Sequence, residues 1–146
     1  MYEKILVPVD GSQDSYCALK EAEKLAKAFS SKLYILTVLT DINVIEQYPG
    51  NFLTTDFKKA QSVRGEHVLD KALEYLEYDG EIDTCYRIGK AAEEIIAHAD
   101  ENEVDLIVIG SRGLGGFSRT LLGSVSDRAL NLAKVPVLVN KLQCTL

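Results

Sequence analysis

The apolar run Leu106-Ile-Val-Ile109 passes directly into Gly110-Ser-Arg-Gly-Leu-Gly-Gly-Phe-Ser-Arg-Thr-Leu-Leu-Gly-Ser-Val-Ser126, and few folds can use such a junction. Short, rich in β-branched residues and bounded by turn residues, the run reads as a buried strand that delivers the chain to Gly110 at its carboxyl end. Beyond the glycines, Val125, Ala129 and Leu132 recur at helical spacing. The order is strand, glycine loop, helix. Glycines at 110, 113, 115, 116 and 123 remove the Cβ atoms that would hold a ligand away from the backbone. Ser124 is the expected N-cap of the helix, whose first amides would point at whatever fills the loop. A helix start of this kind favours anions by roughly 0.3–1 kcal/mol when exposed and adds directional N–H donors.

Two familiar phosphate loops do not fit these residues. A Walker loop ends in Gly-Lys-Ser/Thr, whereas Gly123 is followed directly by Ser124. The dinucleotide fingerprint fails because Gly113-Leu114-Gly115 meets Ser118 where its third glycine should stand.

Elsewhere the chain repeats the alternation of strand and helix. Ile5 to Val9 is an apolar strand entering the turn Asp10-Gly11-Ser12, with Ser12 a natural N-cap for a helix carrying Ala18, Leu19, Ala22, Leu25, Ala26 and Phe29. Lys32 to Leu39 is a second strand, apolar enough to be covered on both faces. Residues Asp41 to Thr55 form the least regular stretch, of a length usually functional or mobile. A long helix marked by Phe57, Ala60, Val63, Val68, Ala72 and Leu76 ends at Asp79-Gly80, and Ile82 to Ile88 is a weaker third strand. Ala92, Ile95, Ile96 and Ala99 mark the third helix, the helix after the glycine loop ends near Ala133, and Val135 to Val139 is a fifth strand that Pro136 places at a sheet edge.

The expected fold is therefore α/β and Rossmann-like: a single domain with a five-stranded parallel sheet, right-handed crossovers and helices on both faces. Ligands in such sheets bind at the carboxyl ends of strands, where the strand order reverses. The expected order is 3-2-1-4-5, which makes the turns at Asp10 and Gly110 neighbours; the order 2-1-3-4-5 would put the third strand between them.

Composition narrows the function. The chain has 146 residues, 47% hydrophobic and 26% charged, with a net charge of −6, which suits one ordinary globular core. An acidic chain gains little from nucleic acid or anionic lipid, so neither is expected as a partner. No apolar run is long enough for a bilayer, and Met1-Tyr-Glu-Lys leads into a strand, not a signal peptide, so the expected location is cytoplasmic. Cys17, Cys85 and Cys144 are odd in number and widely spaced, which predicts reduced thiols, the first two packed and Cys144 exposed. His67 and His98 lie far in sequence from both ligand turns and are expected at the surface or in packing. No catalytic triad or metal-ligand spacing is present.

The glycine loop satisfies Gly-x2-Gly-x9-Gly-Ser/Thr through Gly110, Gly113, Gly123 and Ser124. With Ile5-Leu-Val-Pro-Val-Asp10 and Val135-Pro-Val-Leu-Val139 around it, the whole chain resembles the universal stress protein family, ATP-binding type. The resemblance implies that Pro8, Val9 and Asp10 line an adenosine pocket and that Val38 offers backbone groups to the adenine edge. It also implies that the amides of Gly113, Gly123, Ser124 and Val125, with the hydroxyls of Ser124 and Ser126, receive the phosphates. Arg112 and Arg119 bracket the loop and are candidates for phosphate contact. Asp10 can accept from ribose hydroxyls or the adenine amino group, and equally can close an Asx turn with Ser12. Mg²⁺ or Mn²⁺ is expected on the phosphate oxygens, since divalent ions accompany triphosphates. The resemblance further implies a homodimer through the last strand, at Val135, Val137 and Val139, whose edge amides invite another chain.

The function this implies is a nucleotide-dependent regulatory module of the stress response. A slow ATPase or nucleotidyl hydrolase and a nucleotide-independent interaction scaffold are the alternatives. No general base is evident near the loop, so turnover is expected to be slow or absent. A flavodoxin-type electron carrier shares the fold class and would be yellow when purified.

Overall fold

Five strands and four helices alternate through the residues that the computed structural model describes: 1–40, 51–112 and 122–146, with backbone alone for 40 and 51–57. In chain order they are β1 (Lys4–Pro8), α1 (Gln13–Phe29), β2 (Lys32–Thr40), α2 (Asn51–Tyr75), β3 (Ile82–Gly89), α3 (Ala91–Glu101), β4 (Leu106–Gly110), α4 (Ser124–Leu132) and β5 (Val137–Asn140). The strands form one parallel sheet in the order β3-β2-β1-β4-β5.

Strand pleating divides the apolar residues into two cores. Ile5, Val7, Leu33, Ile35, Leu106 and Val108 face α1 and α2, where Leu19, Ala22, Val68 and Ala72 complete a cluster. Leu6, Tyr34, Leu36, Ile107 and Ile109 face the other way, onto Ala92, Ile95 and Ala99 of α3 and Ala129 of α4. Inner strands that are apolar on every residue require helices on both faces, and the near-continuous runs of β1, β2 and β4 meet that demand. Ile5 lies opposite Leu33 on one side and Leu106 on the other, so β1 and β4 run level and their carboxyl ends open onto the same crevice.

Several local expectations are revised. Residues 41–50 of the irregular stretch lie outside the described residues, but 51–55 belong to α2. Asn51, Thr54 and Thr55 are weak helix formers, and a long helix propagates backward through them at little cost per residue. That helix also stops at Tyr75, before Leu76 and Asp79-Gly80. The last strand begins at Val137, leaving Val135 outside it. Pro136 accepts a 3.0 Å bond from the Ile107 amide through its carbonyl, but it has no N–H of its own to pair. The largest revision concerns the cysteines. Cys17 and Cys144 form a disulfide, and only Cys85 is free. Their separation of 127 residues says nothing about distance in space, because the segment after β5 returns across α1.

Candidate functional site

At the carboxyl edge of the sheet, between the ends of β1 and β4, lies a cleft of about 280 Å³. It sits where the strand order reverses, the position that a doubly wound sheet leaves open because successive crossovers depart to opposite faces. Pro8, Val9 and Asp10 reach it from the end of β1, and Val38 from β2. Gly110 and Arg112 enter from the end of β4, and Gly123, Ser124, Val125 and Ser126 from the start of α4. Ten residues singled out from the sequence therefore share one wall or another of a single cavity. Gly113 and Arg119 lie outside the described residues.

The walls of the cleft differ in chemistry. Val9, Val38, Ile95 and Ile109, with the methyl of Ala91, supply apolar surface. The α4 start is polar. Its N-cap is Gly123, in extended backbone with φ −62° and ψ 157° and without a side-chain cap; Ser124, expected to be the cap, is the first helical residue. The first bond of the helix runs from the Asp127 amide to the Gly123 carbonyl at 2.9 Å, so the amides of Ser124, Val125 and Ser126 precede the ladder. An uncapped glycine start leaves those donors unscreened by a side chain and lends the cleft the positive end of the helix.

Other expected donors are committed elsewhere. The Gly123 amide donates to the Ser111 carbonyl at 2.6 Å, and the buried Ser126 hydroxyl donates to the Gly110 carbonyl at 2.6 Å. Together these bonds pin the start of α4 to the end of β4. The Ser126 hydroxyl has one proton, and it is spent on Gly110, so this group holds the frame of the cleft in place of donating into it. Gly110 is likewise structural: a Cβ there would stand 2.9 Å from the Asp14 carbonyl oxygen. Its bare Cα lets the first turn of α1 seat against β4.

Asp10 closes the Asx turn, its Oδ1 accepting from the Ser12 amide at 2.9 Å. Ser12 caps α1 as expected, accepting from the Ser15 amide at 3.2 Å. Ser15, also in the cleft wall, donates from Oγ to the Ser12 carbonyl at 2.8 Å and accepts from the Asp10 amide at 3.3 Å. Arg112 lies 3.4 Å from the Asp14 carboxylate, both about three-quarters buried. The guanidinium therefore stands at the cleft on an acidic partner from α1.

Ser15, Ala91, Ile95 and Ile109 also line the cleft, although Ile95 and Ile109 were expected only as helix and strand residues and the other two carried no expectation. Ile109 immediately precedes Gly110, and Ala91 opens the helix after β3; the rule that ligands gather at carboxyl strand ends covers both. The histidines stay outside it. His67 is exposed on α2, and His98 is buried against the edge of Tyr34. Burial and the neighbouring Arg87 push the His98 pKa down, which makes it a neutral packing residue at pH 7. Among the described residues no group of three or more His, Cys, Asp or Glu side chains could hold a metal ion, and no helix is long and apolar enough to cross a membrane.

This geometry can be set beside known proteins. The family model of the universal stress protein family matches residues 1–141. The chain belongs to that family. Universal stress protein YxiE of Bacillus subtilis is 36% identical over 95% of this chain and 99% of its own length. Universal stress protein MJ0531 of Methanocaldococcus jannaschii is 35% identical over 97% of this chain and 83% of its own. Among solved structures, universal stress protein UspA from Lactobacillus plantarum superposes with a TM-score of 0.81 at 24% identity, covering 94% of this chain and 97% of its own, a likeness of fold. A universal stress protein in complex with cAMP superposes with a TM-score of 0.61 at 27% identity, covering 95% of this chain and 96% of its own. The family's Rossmann-like sheet is thus the one this chain adopts, with the cleft at its reversal point.

Proposed function

We propose that this protein binds ATP in the β1/β4 cleft and acts as a nucleotide-dependent regulatory module of a single domain. The observation that carries the reading is the mixed lining of the cleft: apolar side chains of Val38, Ile95 and Ile109 share it with a glycine-capped helix start at Gly123. A purine is a flat apolar body with a hydrogen-bonding rim, and a polyphosphate is an anion that needs N–H donors. One molecule satisfies both kinds of wall. In this reading Pro8 and Val9 flank the base, Asp10 accepts from the ribose while keeping its turn, and Val38 presents backbone to the adenine edge. The amides of Gly113, Ser124 and Val125 and the Ser124 hydroxyl meet the phosphates, with Arg112 exchanging Asp14 for a phosphate oxygen. The cAMP complex of a relative supports an adenine nucleotide as the ligand class.

A divalent ion has few ligands to draw from the protein here, because the described residues offer no acidic cluster. Mg²⁺ or Mn²⁺ would take its oxygens from the phosphates and water, and its chemical contribution is to neutralise the polyphosphate. Titration calorimetry is the test. One saturable site for ATP is expected with Mg²⁺, with affinity reduced by a chelator. No heat of binding under either condition overturns the reading.

The same proposal extends to assembly. β5 is an edge strand hydrogen-bonded to β4, with Val137 and Val139 half-buried and Leu138 exposed. Edge amides beside apolar side chains suit pairing with a second copy through β5, with Val135 flanking it. Sedimentation equilibrium is expected to give a dimer, and the 16.1 kDa mass of one chain throughout the micromolar range would remove this part of the proposal.

A further inference from the structure

The segment that follows β5 is held in an unusual way. Asn140 is buried, its carbonyl accepting from the Ser111 amide at 3.1 Å and its side-chain amide donating to the Leu142 carbonyl at 3.1 Å. Beyond Leu142 the chain turns back over α1, where the Gln13 side chain donates to the Cys144 carbonyl at 3.1 Å in an exposed position. Its apolar residues contribute little: Leu142 is 69% and Leu146 43% exposed. The firm attachment is the Cys17–Cys144 disulfide.

Cys17 explains why the attachment is there. It sits in the first half of α1 and is 2% exposed, yet it belongs to neither hydrophobic cluster of the described residues. Cys144, on the segment bonded to it, is only partly buried. Of the two residues it is the more open to an attacking thiolate, with Cys17 as the leaving group. The segment also walls a cleft between α1 and α2 that includes Tyr16, Val68 and Tyr75, whose two tyrosine rings meet at a tilt with centroids 5.0 Å apart. The family match ends at residue 141, so Cys144 lies beyond it while Cys17, on α1, lies within it.

We propose that Cys17 and Cys144 form a reversible redox latch: the disulfide seats residues 142–146 on α1, and its reduction releases them and opens the α1/α2 cleft. The co-reactant is a dithiol. Its first thiolate forms a mixed disulfide with Cys144 and expels Cys17 as thiolate, which takes up a proton. The second thiol closes on the first sulfur, releasing Cys144, so that the cystine gains two electrons and two protons while the dithiol becomes a cyclic disulfide. Reoxidation reverses the exchange.

The full chain provides the test, after treatment with diamide or with dithiothreitol. Trypsin is applied and cleavage after the exposed Lys141 is followed by intact mass, as gain of one water in the latched form and loss of the 142–146 peptide in the reduced one. Cleavage should be about tenfold faster in the reduced protein, because a protease needs several residues free of their contacts. Cys144→Ser, which removes the latch and leaves the buried Cys17 in place, should be cleaved at the reduced rate in both conditions. Diamide should remove two alkylatable thiols from the denatured wild-type chain and none from Cys144→Ser. Rates that differ less than about twofold between the two states, or an unchanged thiol count after diamide, would overturn the latch.

Discussion

Gly123→Arg should abolish most ATP binding, lowering affinity at least about 100-fold, or about 2.7 kcal/mol, while leaving the fold in place. Gly123 lines the cleft as the N-cap of α4, and its side of the cavity is where a polyphosphate would meet the Ser124 and Val125 amides. An arginine side chain added there fills the approach to those donors. The backbone tolerates it, because φ −62° and ψ 157° are open to any L-residue and the Gly123 amide can still donate to Ser111. Calorimetry of the variant, with a thermal melt as the check on folding, reads the result. A variant that melts like the parent and binds ATP with unchanged affinity would move the phosphate site away from α4.

Gly110→Ala should act on stability first. The added Cβ would lie 2.9 Å from the Asp14 carbonyl oxygen and 3.3 Å from the Ser15 nitrogen, both backbone atoms at the start of α1. No rotamer change relieves a clash between main chains, so α1 or β4 has to move, at a cost of about 2–3 kcal/mol. For a chain of this size that corresponds to a melting temperature lower by roughly 5–10 °C. Because α1 carries Asp14, the partner of Arg112, the same displacement should weaken nucleotide binding as well. A melting temperature within about 1 °C of the parent would contradict the account of Gly110 as a packing glycine.

The two substitutions separate glycines that a motif treats alike. Both positions satisfy the spacing Gly-x2-Gly-x9-Gly, yet Gly110 gives room to a neighbouring helix and Gly123 gives room to a cavity. Ser126 makes the same point among hydroxyls. Its proton goes to the Gly110 carbonyl, so it acts as a strut between α4 and β4.

Much of this protein was legible in its residues. Strands and helices were readable because their determinants are local: the short, near-continuous apolar runs of β1, β2 and β4 and the three-to-four-residue spacing in α1 and α3 are properties of side chains a few positions apart. The glycine spacing, together with the turn at Asp10, located the carboxyl-end cleft, since a parallel sheet with helices on both faces leaves its opening where the order reverses. What tertiary structure alone decided were contacts between segments remote along the chain. The Cys17–Cys144 bond, the approach of α1 to Gly110 and the Arg112–Asp14 pair each join residues about a hundred or more apart. Local pattern carries no information on such meetings, because they depend on how the crossovers stack their helices and on the path taken after the last strand.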